Sequence, residues 1–393
     1  VFINFVEYTN TNGSLCVTLT WLRVMGLWAP SELVGWKRFL YNCYTVFVYM
    51  LVVGTFIFIQ AADLCIIWGD IQLMTAAAFV LFTNLTHSTK ILNLVVRATR
   101  IKRIVRNNDR VLRFQKTMEG RHIVKSCDRE VNIYCTIYAL VTLITILSWW
   151  LAAALEGQDR QLPMRAWYPF NTSKSPIYEL TYTHQCLSLF LSASMNASKD
   201  IVVTTLIAQC RCRFRLISVA LRGLCNDLHI NDNRLTKDQE DIVAARLGDC
   251  VREHQDTLAT VSELQGCFSE PTFAQFTVSL VIICVTAFQI DVLRMLSMTF
   301  YLLNMLAQVY IYCREGNELS IESENVSSCA YAFPWYSCGV RVRRSALLLM
   351  TRCCRIAKLT AAGFTTLSLA SFMSICKASY SFFTVLKQVD EDS

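Results

Sequence analysis

Apolar residues in this chain fall into long runs, separated by connections in which charge collects. A helix needs roughly 20 predominantly apolar residues to cross a bilayer. Seven runs are read as spans: Phe39 to Ile59, Ile71 to Val96, Val131 to Leu155, Tyr178 to Gln209, Phe273 to Ile290, Phe300 to Cys313 and Leu359 to Lys387. The sixth is short and needs its flanks to complete it. The second and fourth have polar middles, Thr83, Asn84, Thr86, His87, Ser88 and Lys90 in one and Ser192, Ser194, Asn196, Ser198, Lys199 and Asp200 in the other. Val1 to Pro30 is moderately apolar and reads as an amphipathic, membrane-hugging lead-in. Between the fourth and fifth runs, Leu221 to Glu263 mixes Asp, Glu and Arg with Leu and Val at helical spacing, which predicts a soluble helical extension. A Gly316-Asn317 turn is expected to end the sixth helix, before the acidic Glu318, Glu322 and Glu324.

The last run is not a plain anchor. Thr365, Thr366, Ser368, Ala370, Ser371, Ser374, Ala378, Ser379 and Ser381 recur through it. Small residues let helix backbones approach closely in lipid, and hydroxyls bond across helices. Lys377 lies inside the segment, and an ammonium in hydrocarbon is costly, so it should face protein or water. Two readings follow, a last structural helix that tolerates a lysine and a helix that lines an aqueous path.

Composition agrees with a membrane protein. Only 17% of the 393 residues are charged and 54% are hydrophobic, against about 25% charged in soluble domains; mean hydropathy is +0.37. The net charge of +7 does not indicate nucleic-acid binding, because the basic residues cluster beside apolar runs where topology places them. The 18 cysteines form no paired CxxC pattern of zinc type. Cys43, Cys135 and Cys284 fall inside apolar runs, while Cys210, Cys212, Cys353 and Cys354 fall in basic stretches. No cleavable leader, phosphate loop, metal set or assembled nucleophile is legible, so neither an enzyme nor a cofactor is expected.

Charge also sets the orientation. Lys and Arg crowd the ends of spans that stay in the cytoplasm. Here they crowd the segment before the first span (Lys37, Arg38) and the connections after the second (Arg97 to Arg129), fourth (Arg211, Arg213, Arg215) and sixth (Arg341 to Lys358). The connection after the third has balanced charge and the sequon Asn171-Thr172-Ser173, which suits an outer face. The sequons at Asn12, Asn84, Asn196 and Asn325 are read as unused. The amino terminus is therefore expected inside and the carboxyl terminus outside, the reverse of a G-protein-coupled receptor. The Asp-Arg-Tyr and Asn-Pro marks of that class are absent too. A transporter would show an internal repeat or Gly/Pro-broken helix pairs, and neither is visible.

The closing third is more specific. Cys313 to Leu319 (CREGNEL), Glu322-Ser323, Ala330-Tyr331 and Trp335-Tyr336 resemble the linker between the sixth and seventh helices of insect odorant receptors. Arg344 to Met350 (RSALLLM), Thr360 to Phe364 (TAAGF) and Lys377 to Leu386 (KASYSFFTVL) resemble that family's closing signature. A gustatory receptor of the same fold remains the alternative, with the last motif favouring the odorant branch. The segment after the fourth span lacks the long insertion of the shared odorant-receptor co-receptor (Orco), so the chain resembles a tuning, odorant-binding subunit.

The resemblance implies an odorant-gated, non-selective cation channel of the plasma membrane, a tetramer formed with the co-receptor around a pore walled by the seventh helices. Its partners would be a volatile odorant, the co-receptor, membrane lipid and permeant cations. It also divides the chain into a lead-in (1–36), six spans with the pocket and their helical extensions (37–316), an anchor segment (317–358) and the pore helix with its tail (359–393). The family's gate position matches Val385, with Val389 one turn on and Gln388, Lys387 and Asp390 nearby. A ring of apolar side chains at a constriction blocks ions by dewetting.

The odorant pocket is expected in the outer half of the bundle: Met74, Ala78 and Phe79 from the second helix, Ser148, Trp149 and Ala152 from the third, Tyr182, Cys186 and Phe190 from the fourth, and Tyr301 and Met305 from the sixth. Such a set suits a flat aromatic or short aliphatic odorant. His184 is read as a structural residue, and Lys199 and Asp200 as partners in internal polar contacts.

Overall fold

The computed structural model describes residues 13–155, 162–228, 235–288 and 295–391, apart from Ser31, Asp70, Lys116, Arg165 and Ser173. Side chains at some helix positions, those of Phe79, Lys387, Val389 and Asp390 among them, lie outside the described set. Helix α1 (Gly13–Val24) precedes a first pass built from α2 (Trp36–Tyr49), a π-helical turn (Met50–Gly54) and α3 (Thr55–Ile66). Then come α4 (Ile71–Val96), α5 (Ala98–Arg113), α6 (Met118–Leu155), α7 (Ile177–Arg222), α8 (Lys237–Phe288), α9 (Met295–Ala332), α10 (Val340–Cys353), a hairpin of β1 (Thr360–Ala361) and β2 (Thr365–Thr366), and α11 (Leu369–Glu391). Seven passes among the described residues are long enough to span. The first pass, α6, α8 and α9 are also apolar enough by composition; α4, α7 and α11 carry the polar positions noted above.

Exposed Phe39, Phe47 and Phe58 on the first pass, and Ile137, Leu140, Leu147 and Leu151 on α6, form the apolar surface a lipid environment requires. The most tightly buried apolar core lies elsewhere. At 1.5 Å per residue the 46 residues of α7 reach about 70 Å, more than twice a hydrocarbon core of about 30 Å. The surplus of α6 to α9 packs with α5 and α10 into a bundle beyond the membrane, where Phe214, Leu221, Val243, Leu319, Val326 and Cys329 are inaccessible to solvent. The basic stretch after the second run forms α5, which buries Ile101, Ile104, Val105 and Leu112 at helical spacing and leaves its arginines on the other face. Fully buried Arg213 joins α5, α7 and α8, meeting Glu253 at 2.9 Å, Asp256 at 2.5 Å and Asn108 at 3.1 Å.

Four sequence expectations change. The described part of the lead-in forms α1, whose Leu15, Leu19 and Leu22 are buried against α7 and α6, so that helix's apolar face is covered by protein; residues 1–12 of the lead-in lie outside the described residues. From Lys237 to Phe288 the predicted extension and the fifth span are one helix, α8, which continues through Pro271; residues 229–234 of the extension and 289–290 of the span lie outside the described residues. Proline has no N–H for the carbonyl four residues back, and that carbonyl, on Cys267, accepts Arg97 Nη1 at 2.9 Å instead.

Gly316 and Asn317 make no turn; they lie inside α9. Gly316 is there for close approach, since a Cβ on it would stand 2.4 Å from Leu367 Cβ and 2.6 Å from the Leu367 carbonyl oxygen. The seventh run is not helical throughout either. Its first residues form a hairpin with both central turn residues at positive φ (Ala362 49°, Gly363 78°), closed by Phe364 N–H donating to Ala361 C=O at 3.0 Å. Ser269 and Gln265 of α8 hold this hairpin, with Gln265 Nε2 donating to Thr360 O at 2.9 Å and Thr360 N to Gln265 Oε1 at 2.8 Å. Helix α11 starts only at Leu369, and its 23 residues still reach about 35 Å.

Candidate ligand cavity and last helix

A cavity of about 110 Å³ lies between the first pass, α4, α6, α7 and α9. The polar middle of α4 supplies Thr83, Asn84 and His87, that of α7 supplies Ser192 and Asn196, and Ser188 lies one turn before it on α7. From α6 come Tyr138, Thr142, Thr145 and Trp149, and from α9 Tyr301, Asn304 and Met305. Phe56, Val80 and Ile146 complete apolar walls. The connection between α6 and α7 covers one side through buried Met164, whose N–H and C=O are both held by Gln185, at 3.0 and 3.1 Å.

Much of the polar lining is already engaged. Thr83 and Tyr301 share a hydrogen bond of 2.7 Å, Thr142 donates to Asn304 Oδ1 at 3.0 Å, and Asn84 Nδ2 donates to Gln60 Oε1 at 3.0 Å. Asn196 Oδ1 accepts Lys90 Nζ at 3.3 Å. Lys90 is anchored at 2.7 Å on Asp200, the hub of a buried network. Tyr138 and Tyr312 donate to that carboxylate at 3.1 and 2.8 Å, and Gln308 Nε2 donates as well. One side chain of α7 thus ties together α4, α6 and α9. Lys199 donates to the His87 carbonyl at 3.3 Å.

The family model for the 7tm odorant receptor matches residues 70–380. The chain belongs to the seven-transmembrane odorant receptor family. It is 24% identical to odorant receptor Or1 of Anopheles gambiae over 96% of both chains, and 26% identical to odorant receptor 46a, isoform A, of Drosophila melanogaster over 80% of this chain and 82% of that one. It is 30% identical to the odorant receptor coreceptor of Aedes aegypti, over 42% of this chain and 35% of that one. In structure it resembles the insect olfactory receptor OR5 of Machilis hrabei, solved in complex with eugenol, with a TM-score of 0.82 and 18% identity over 98% of this chain and 100% of that one. The receptor is thus a seven-pass membrane protein and no enzyme.

Of the residues the sequence suggested for the pocket, Trp149, Tyr301 and Met305 line the receptor's cavity. Met74, Ala78, Ser148, Ala152, Tyr182, Cys186 and Phe190 do not. Met74 sulfur accepts the Gly69 N–H at 3.3 Å, and Ser148 bonds the Thr145 carbonyl at 2.8 Å. Tyr182 packs on Tyr178, and Phe190 lies between Trp21 and Trp150. His184 stacks on Phe56, with ring centroids 5.9 Å apart. The cavity lies about one to two turns farther along α4 and α7 than the choice from sequence. The signal that marks it was present, since both runs lose apolar character at the residues that line it.

The receptor's α11 carries a stripe that its own chain leaves open. Ala370, Ser374, Lys377, Ser381, Thr384 and Gln388 recur at intervals of three and four and are all exposed, with 57% exposed Val385 at the edge. Ser379 on the opposite side is buried. Asn171 is exposed in the connection between α6 and α7.

Proposed function

We propose that the receptor is the odorant-binding, tuning subunit of a tetrameric non-selective cation channel, assembled with the odorant-receptor co-receptor in the plasma membrane of olfactory sensory neurons. The exposed polar stripe of α11 carries this reading. A lipid-facing helix of that length would not present Ser374, Lys377, Ser381 and Gln388 in one line, because each costs energy in hydrocarbon. Around a central axis the same stripe meets water. Val385 narrows the path near its end, with exposed Gln388 close by in the stripe; Val389, the next gate candidate in sequence, has its side chain outside the described set. The amino terminus is cytoplasmic and the carboxyl terminus extracellular, as the basic connections favour. Asn171 then faces outside as a glycosylation site, and residues 317–358 belong to the anchor that holds subunits together.

Odorant binding in the cavity favours one arrangement of α4, α6, α7 and α9 over another, and that difference in affinity is what opens the pore. The similarity of the fold to a receptor solved with eugenol supports a small-molecule ligand. The test is ligand-evoked current in cells expressing the receptor with and without the co-receptor, using cysteines introduced at Lys377, Ser381 and Ser379. A charged thiosulfonate should block the open channel from Lys377→Cys and Ser381→Cys and leave Ser379→Cys untouched. Equal insensitivity of all three would place α11 away from the ion path and refute the proposal.

A further inference from the structure

His87 is 3% exposed and lines the cavity. Its Nδ1 lies 3.3 Å from Ser192 Oγ, and its Nε2 is buried with no hydrogen-bond partner among the described residues. An unmatched buried polar atom costs about 1–3 kcal/mol, so its presence beside a cavity calls for an explanation, and a ligand in that cavity can supply one. The neighbouring polar groups of the lining, Thr83, Asn84, Thr142 and Asn196, each have a protein partner. A neutral imidazole has one donor and one acceptor nitrogen. The Ser192 hydroxyl can serve Nδ1 in either role, so Nε2 is free to accept or to donate. A ligand hydroxyl matches both states, whereas an ether or ketone oxygen matches only one.

Other lining residues, Phe56, Val80, Ile146 and Trp149, offer apolar and aromatic contact. The cavity volume of about 110 Å³ is of the order of the 150 Å³ engineered cavity that takes up benzene. Among the described lining residues there is no Asp, Glu, Lys or Arg, so an ionised amine or acid would be buried without a counter-ion, which disfavours it.

We propose that the receptor is tuned to neutral one-ring hydroxylated molecules of the phenol class, and that His87 Nε2 is the hydrogen-bonding anchor that sets this specificity. This rests on the odorant-receptor reading above and adds to it the ligand class and the residue that selects it.

The experiment records currents from the receptor with the co-receptor against p-cresol, 4-methylanisole and p-xylene, which share one ring and differ in the polar group. The parent receptor should respond to p-cresol at roughly tenfold lower concentration than to p-xylene, the effect of one hydrogen bond to an otherwise unmatched buried group. His87→Phe keeps a ring and removes both nitrogens; it should erase that gap by weakening p-cresol alone, and His87→Gln should restore part of it. Surface labelling establishes that each variant reaches the membrane. Equal potencies of p-cresol and p-xylene on the parent overturn the proposal, whether or not the variants fold. So does a gap that survives His87→Phe, or a robust response confined to non-hydroxylic odorants, and in those cases the channel reading stands. Silence to every ligand class with both subunits on the surface overturns the channel reading and this one together.

Discussion

Asp200→Asn removes one negative charge from a site with no solvent access. The carboxylate there accepts Lys90 Nζ at 2.7 Å and the hydroxyls of Tyr138 and Tyr312 at 3.1 and 2.8 Å, and Lys90 itself is 6% exposed. In the variant the ammonium stays buried without a counter-charge, and the new amide group points hydrogens at donors. Removing one partner of a buried pair costs about 3–5 kcal/mol. Unfolding entropy of about 2.1 cal/mol/K per residue makes that a loss of about 4–6 °C in Tm for a chain of 393 residues. Lys90→Met in the same chain removes the stranded charge, and the double variant should regain at least half of the loss.

Thermal stability in detergent, followed by fluorescence-detected size exclusion, reads all four members of the cycle. An Asp200→Asn receptor melting within about 1 °C of the parent would refute the network as a structural hub. So would a double variant less stable than either single one. Tyr138 and Asn196 also line the cavity, so Asp200→Asn should weaken odorant potency even where expression is preserved.

Three further outcomes are expected. Gly316→Ala drives a methyl into Leu367 and should destabilise by about 1–3 kcal/mol, although alanine favours helix by about 1 kcal/mol; Gly248→Ala, with open space around its Cβ, should be neutral or stabilising, and equal effects in the same melting assay would contradict the close approach of α9 to the hairpin. A membrane-impermeant maleimide should label exposed Cys354 only after permeabilisation, and Cys354→Ser should abolish that increment; buried Cys353, whose thiol is pushed up to about 11 by burial, should not take its place. Labelling of Cys354 on intact cells would reverse the proposed topology. Gly363→Val forces a β-branched residue into φ 78°, at a cost of at least about 1–2 kcal/mol, and should loosen the hairpin from Gln265 and Ser269; unchanged melting and unchanged protease resistance of the 360–366 segment would count against it.

The membrane class and the number of passes were legible in the sequence because lipid imposes a one-dimensional rule. Every span must supply its own backbone hydrogen bonds over a fixed thickness, so length with apolar composition marks the first pass, α6, α8 and α9, and length with charge at the flanks marks α4, α7 and α11 despite their polar positions. The family was legible too, through motifs such as KASYSFFTVL and CREGNEL near the chain's end. What depended on neighbours in space was not. Gly316 looks like a turn in isolation and is a contact point once Leu367 lies against it. The run from Leu359 has the composition of a helix, yet the carbonyl and amide of Thr360 and the amide of Ala362 find partners on α8, which favours a hairpin there.

The cavity shows the same division. Thr83, Asn84, His87, Ser192 and Asn196 stand out in sequence as polar positions in apolar runs. Which of them pair with each other, and which face an open space, is decided by the depth at which α4, α6, α7 and α9 cross. Hydrophobic pattern reports whether a residue avoids water; only the packed helices determine which atom of a buried His87 is left without a partner.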